Sequence, residues 1–221
     1  MKRFTGIAGF LLIGSLLFAQ SSASPASAFI QLVRTGSPQQ VVSAIKEGAD
    51  VAQRDATGTT PLMLASRENP NPEVVKALVA AGANIKDRDA LGFTSLMWAS
   101  AGNPNPEVVK VLLAGGANVM DKSRDGQTSL ILSANNNPNA EVLRTLLTAG
   151  AGVNEADNSG MTALMWAAKA SSNPMVVTLL LNAGADGKIV TFSGKTAFDY
   201  AGDNEKLKGT SAYWALNNAG Y

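Results

Sequence analysis

The chain has 221 residues, of which 46% are hydrophobic and 16% are charged, so it can build a sizeable core. It contains no cysteine and no histidine, which excludes disulfides, thiolate nucleophiles, and the metal ligands and general bases that those residues supply. The formal net charge is +1 and no polybasic block is present, so a nucleic-acid or anionic-membrane partner is disfavoured.

Residues 1–23 have the layout of a secretory signal peptide. Lys2 and Arg3 form a basic start, an apolar run follows from Ile7 to Phe18, and small residues continue to Ala23. The run is about a dozen residues long, well short of the ~20 that a membrane-spanning helix needs. Cleavage after Ala23 is therefore favoured over a membrane anchor.

Cleavage would give a nearly neutral protein, because removing Lys2 and Arg3 leaves 16 basic against 17 acidic residues. A second small-residue site at 26–28 also fits the peptidase, but cutting there would remove the start of the first helix. We expect an exported product without a stable membrane anchor, located in the periplasm or, alternatively, secreted. The absence of cysteine suits such an oxidising compartment.

After this leader, one stretch recurs five times with a step of 34 residues. Each copy begins with glycine, followed by threonine and an apolar run. The leading glycines are Gly58, Gly92, Gly126, Gly160 and Gly194. A fixed period of this length is typical of a stacked repeat array.

Each copy predicts a pair of helices followed by an extended finger. In the first complete copy, Thr60 is expected to cap a short helix that ends near Glu68. Asn71 is expected to cap a second, longer helix, which ends at Gly82. One such unit cannot bury both sides of its helices, so neighbouring units must stack.

The same pattern divides the rest of the chain into six units. The end units depart from it, as expected of repeats that present an outer face to solvent, and Thr210 is predicted to cap the last helix. The units are an N-terminal capping repeat at 24–57, complete repeats at 58–91, 92–125, 126–159 and 160–193, and a C-terminal capping repeat at 194–221.

This pattern resembles the ankyrin repeat over nearly the whole chain after residue 24. The resemblance rests on the Gly-x-Thr-Pro-Leu helix start, on Glu-Val-Val-Lys at 73–76 and 107–110, and on Gly-Ala-Asn or Gly-Ala-Asp at 48–50, 82–84, 116–118 and 184–186. It implies an all-α solenoid of stacked helix-turn-helix units with β-hairpin-like finger loops.

Two departures from the ankyrin pattern bear on stability. The period is one residue longer, because the Asn-Pro-Asn-Pro loop between the helices is longer. The histidine that ties neighbouring turns together in the family is replaced, which predicts that apolar packing takes over its role. The replacements are Met63, Met97, Ile131, Met165 and Asp199. These departures resemble bacterial exported ankyrin proteins more than the eukaryotic consensus.

Neither carboxylates nor thioethers form a convincing reactive site. The finger carboxylates could form a divalent-metal or acid–base set, but aspartate also stabilises tight turns, which we favour; they are Asp87, Asp89, Asp121, Asp125 and Asp157. The repeated methionines could bind Cu(I), but neighbouring repeats are ~10 Å apart, so core packing is preferred. We predict no catalytic, metal or cofactor site.

By resemblance, ankyrin arrays bind partners through finger tips and the exposed face of their first helices. Trp98 and Trp166 share one repeat position, where either packing between repeats or a binding hot spot is equally consistent with the sequence. A basic cluster on two adjacent fingers could meet an acidic partner, although charges often form only a solvated face. Its members are Lys86, Arg88, Lys122 and Arg124. The candidate partner-binding residues are Arg67, Lys86, Arg88, Leu91, Trp98, Lys122, Arg124, Trp166 and Lys169.

The leading hypothesis is a non-enzymatic, monomeric, exported scaffold that binds a protein partner. A secreted factor that binds a host or competitor protein would use the same chemistry in another place. Two further classes stay open: a hydrolytic or metal-dependent activity through the finger carboxylates, and a structural spacer that has no partner.

Overall fold

The structure, a computed structural model, describes residues 25–220, and the predicted signal peptide lies outside them. Within this range the chain forms twelve helices, arranged as six consecutive pairs. In chain order they are α1 (Pro25–Thr35), α2 (Pro38–Lys46), α3 (Pro61–Glu68), α4 (Pro72–Ala80), α5 (Ser95–Gly102), α6 (Pro106–Ala114), α7 (Ser129–Asn136), α8 (Ala140–Thr148), α9 (Ala163–Ala170), α10 (Pro174–Asn182), α11 (Ala197–Ala201) and α12 (Ser211–Ala219).

The pairs stack into two helical layers. The first helices of successive pairs (α1, α3, α5, α7, α9 and α11) contact one another, and the second helices (α2 to α12, even numbers) form the other layer. This arrangement confirms the predicted all-α ankyrin solenoid. Between residues 25 and 220, no helix is both long enough and apolar enough to cross a bilayer.

The helices begin where side-chain caps were predicted. The Thr60 hydroxyl accepts a hydrogen bond from the Met63 amide at 3.3 Å, and the Asn71 side chain accepts one from the Glu73 amide at 3.0 Å. Each bond satisfies one of the amides that the first turn leaves without a helical partner. Thr210 caps the last helix in the same way.

The fingers are hairpin-like loops, and neighbouring fingers are joined by backbone hydrogen bonds. The Arg124 amide donates to the Leu91 carbonyl at 3.0 Å, and the Asn158 amide donates to the Asp125 carbonyl at 2.9 Å. Gly126 makes this contact possible: its φ is +76°, and a Cβ there would lie 2.5 Å from the Asn158 side chain. Isolated antiparallel bridges within two fingers complete the hairpin-like geometry.

The residues that replace the ankyrin histidine lie in the core. Met63, Met97, Ile131 and Met165 are at most 1% exposed, as the prediction of apolar packing required. Asp199 differs because it is exposed and accepts hydrogen bonds from the Thr196 amide and hydroxyl, which cap α11. Those bonds hold the pKa of Asp199 below its ordinary value.

A ladder of buried asparagines, which sequence reasoning missed, ties the repeats together. The Asn103 side-chain amide donates to the carbonyls of Ser66 and Asn69, at 2.9 and 2.8 Å, in the preceding repeat. Its oxygen accepts from the Asn105 amide at 2.9 Å. The longer inter-helix loop therefore supplies a polar tether between repeats. The asparagine ladder consists of Asn69, Asn103, Asn137 and Asn204.

The asparagine ladder is interrupted at Ser171. Its hydroxyl bonds only to the Asn173 backbone, so the repeat formed by α9 and α10 lacks this tether to its predecessor. Ser171→Asn would place two donors opposite the carbonyls of Ala134 and Asn137, by analogy with the other repeats. We expect it to raise the free energy of unfolding by about 1 kcal/mol, measured by urea denaturation.

The matched control for this substitution is Ser172→Asn, which changes an exposed neighbour. It should alter the unfolding free energy by less than about 0.5 kcal/mol. Equal effects of the two substitutions, or a loss of stability from Ser171→Asn, would show that the asparagine ladder does not contribute in the way described.

Candidate protein-binding surface

Three aromatic side chains form a row along the first helices. Trp98, Trp166 and Tyr200 occupy the same repeat position on α5, α9 and α11, and each is partly buried. Leucines fill this position in two other repeats, where Leu64 and Leu132 are at most 6% exposed. The row therefore packs between repeats and also reaches the surface. This is compatible with packing between repeats and with a binding hot spot, the two roles predicted for the tryptophans.

Buried aspartates fix the orientation of the two indoles. Asp89 Oδ2 accepts a hydrogen bond from Trp98 Nε1, and Asp157 Oδ2 accepts one from Trp166 Nε1, both at 2.9 Å. Holding a large aromatic side chain in place before binding lowers the entropy cost of binding.

The same aspartates also stabilise the finger turns. Asp89 Oδ1 accepts from the amides of Leu91 and Phe93 at 2.9 Å, and Asp157 Oδ1 makes the equivalent pair of bonds. The turn-stabilising interpretation of these two carboxylates is thereby confirmed. Over residues 25–220, no three acidic side chains gather in a way that could hold a metal ion.

Cations lie against the faces of the aromatic row. The Arg67 guanidinium is 4.8 Å from the Trp98 ring centroid, and the Lys169 ammonium is 5.2 Å from that of Trp166 and 5.8 Å from that of Tyr200. Four of the predicted binding residues are thus brought together in two pairs. Such cation–π contacts stabilise the cation but leave its hydrogen-bond donors available.

Two further residues of this surface were absent from the predicted set. Lys195 lies 5.6 Å from the Tyr200 ring centroid, so that ring has two ammonium groups near it. The repeat alignment could have identified Tyr200, because it shares the position of Trp98 and Trp166. Lys195 occupies a variable finger position and carries no such signal. We call Arg67, Trp98, Trp166, Lys169, Lys195 and Tyr200 the cation–aromatic surface.

The predicted basic cluster is divided between two roles. Arg88 bonds to the Asp121 carboxylate at 2.9 Å and to the Lys122 carbonyl at 2.8 Å, and Lys122 pairs with Glu155 at 2.7 Å. Both side chains therefore tie one finger to the next. Lys86 and Arg124 are exposed and form no ion pair with the described part of the chain. A binding role for the whole cluster stays a prediction.

Arg88→Met should show the structural role of this bridge. We expect a loss of about 1 kcal/mol in the free energy of unfolding, because a partly exposed ion pair and two hydrogen bonds to carbonyls disappear. Lys86→Met in the same finger is the matched control and should change stability by less than about 0.5 kcal/mol. Urea denaturation of both variants measures the difference. Equal losses would mean that the Arg88 contacts add nothing specific.

Large apolar side chains are exposed on three fingers, one of which carries Met120 with 41% exposure. Leu91, a predicted binding residue, is 59% exposed, while Val190 and Phe192 on the last finger are 53% and 86% exposed. Phe192 stands at a finger position that holds alanine, arginine or asparagine elsewhere in the array. It was not among the predicted residues, although the repeat alignment could have revealed it.

The chain matches a family model for ankyrin repeats, which describes three copies. The model matches over residues 29–123, 96–191 and 130–208, so the matches extend from the first helix to the last capping unit. No curated protein matches the chain. The stacked helix pairs, the hairpin-like fingers and these three matches show that the chain belongs to the ankyrin-repeat family, whose arrays are protein–protein interaction domains.

Proposed function

We propose that this chain is a non-enzymatic, monomeric binding protein that holds an acidic segment of a partner protein on its cation–aromatic surface. One observation carries the proposal. Arg67 and Lys169 of that surface rest on aromatic rings and form no ion pair with the chain's own described carboxylates. They therefore remain available to a carboxylate from outside.

The geometry of the surface favours binding in two ways. The indoles of Trp98 and Trp166 are fixed by hydrogen bonds, so they need little ordering when a partner arrives. Aromatic side chains beside arginine are also the residue types that contribute most to protein–protein binding energy.

The proposed location is outside the cytoplasm, in the periplasm or, alternatively, secreted. The support is the sequence pattern of residues 1–23, with its basic start, short apolar run and small residues. Leu12→Arg would interrupt the apolar run. We expect it to leave an uncleaved chain inside the cell, whereas the natural chain should be exported with residues 1–23 removed. Intact mass spectrometry of cell fractions measures both results.

An uncleaved natural chain in the envelope fraction would contradict this location. A chain found mainly in the medium would support the secreted alternative. Thr5→Ala, before the apolar run, is the matched control and should be exported normally.

Affinity capture from the native envelope fraction tests the binding proposal. The bait would be the natural protein, compared with the double variant Arg67→Glu and Lys169→Glu, and with Lys110→Glu and Arg144→Glu on the second-helix layer. We expect one protein to be captured by the natural bait and by the second-helix variant, and to be lost from the first variant. Equal capture by all three baits would refute the proposed surface, and no capture by any bait would favour a spacer.

A further inference from the structure

The two cation–π clusters of this surface lie on separate repeats, the first on α3 and α5 and the second on α9 and α11. Arg67 and Trp98 form the first cluster, and Lys169 with Trp166 and Tyr200 forms the second. The two cations occupy equivalent positions three repeats apart, at residues 67 and 169. Packed helices are 8–10 Å apart, so the two cations are separated by roughly 24–30 Å.

The two intervening repeats carry no charge at the helix position that holds Arg67 and Lys169. Ala101 and Asn135 occupy the cation position in the two intervening repeats, and Leu132 occupies the aromatic position with 3% exposure. A uniform row of cations would accept any polyanion in any register. Two separated cationic points with a neutral stretch between them can instead distinguish ligands by the distance between their negative charges.

We infer that the protein recognises an extended acidic peptide segment with two carboxylate side chains about eight residues apart. The number follows from the distance, because an extended chain advances ~3.3 Å per residue. One carboxylate would bond to the edge of the Arg67 guanidinium, which its contact with Trp98 leaves free. The other would bond to the Lys169 ammonium, whose contact with Trp166 leaves its donors free. This inference rests on the proposed function and specifies the partner's sequence.

A peptide is favoured over a nucleic acid by the small number of charges. A nucleic acid presents a phosphate at every nucleotide and is bound through many cations at once. Here the cations form two isolated points, and the chain has nearly equal numbers of acidic and basic residues. Polar residues with few charges, spaced to match the gap, would suit the neutral stretch.

Binding of synthetic peptides tests the spacing. Fluorescein-labelled Gly/Ser peptides of equal length would carry two glutamates separated by four, eight or twelve residues, and fluorescence anisotropy with the purified chain would give each Kd. We expect the eight-residue spacing to bind roughly tenfold more tightly than the four-residue spacing, because the second contact becomes intramolecular. Arg67→Gln or Lys169→Gln should remove this preference, and Lys46→Gln, an exposed unpaired lysine on α2, should leave it unchanged.

The outcomes separate this inference from the proposed function. Equal Kd values at all spacings, or tighter binding of a single-stranded oligonucleotide of the same length, would overturn the inference. Loss of partner capture in the Arg67 and Lys169 variant, together with equal peptide Kd values, would leave the proposed surface standing and refute the two-point recognition alone. Circular dichroism of each variant would establish that the glutamine substitutions leave the helices intact.

Discussion

Asn103→Ala is expected to lower the free energy of unfolding by about 3 kcal/mol. The side chain is fully buried and makes three hydrogen bonds, two of them to carbonyls of the preceding repeat. Alanine would leave those carbonyls buried without a donor and would open a small cavity. Because stability in a repeat array depends on the contacts between neighbours, the loss falls on one interface in the middle of the chain.

Urea denaturation followed by circular dichroism measures this effect. A weakened central interface should also broaden the transition, because the two halves of the array can then unfold separately. Asn136→Ala, at the exposed end of α7, is the matched control and should change stability by less than about 0.5 kcal/mol. A loss below about 1 kcal/mol for Asn103→Ala would show that the asparagine ladder adds little beyond apolar packing.

Asp157→Ala is the second substitution with a large expected effect. One oxygen of this buried carboxylate holds the finger turn through two amides, and the other holds the Trp166 indole. Its removal leaves three donors without an acceptor, so we expect a loss of about 3 kcal/mol. The freed indole should also weaken partner binding, because its orientation is no longer fixed.

The control for this substitution is Asp125→Ala, an exposed acidic residue in the preceding finger. It should keep stability within about 0.5 kcal/mol and leave peptide binding unchanged. Urea denaturation gives the first quantity, and fluorescence anisotropy with the eight-residue-spaced peptide gives the second. If Asp157→Ala bound the peptide as tightly as the natural protein does, the aspartate would be a stabiliser of the fold with no part in positioning the indole.

Helix positions could be predicted from the sequence because their signals are local. The Thr60 and Asn71 caps, and the glycine stop at Gly82, act within a few residues and recur every 34 positions. Repetition makes each signal visible several times, which a single helix would not allow. The buried methionines followed from the same alignment, because they stand where the family has its histidine.

The asparagine ladder could not be predicted, because the same residue type serves two roles in one loop. Asn71 caps a helix locally, whereas Asn69 reaches the carbonyls of Val33 and Gly36 in the preceding repeat. Both appear in the sequence simply as turn-forming asparagines. Only the distance between stacked loops shows that these asparagines also bond to the preceding repeat, as Asn105 does to the Pro70 carbonyl at 2.7 Å.

The residues of the cation–aromatic surface were predicted in part, for a related reason. The repeat position of Trp98 and Trp166 was identified, but the sequence could not show that Arg67 reaches the ring of the following repeat. It likewise grouped Arg88 with Lys86 by proximity in sequence, although Arg88 bonds across to the next finger. Charged side chains are long, so their partners depend on the packing of neighbouring repeats.

Site-specific photo-crosslinking in the native cell tests the central claim most directly. A photoreactive amino acid would replace Asn136, between the two cation–π clusters, or Thr148 on the second-helix layer, both of which are exposed. We predict a crosslinked protein adduct from position 136 and none from position 148. An adduct from position 148 alone, or no adduct from either position, would contradict an acidic protein partner on the cation–aromatic surface.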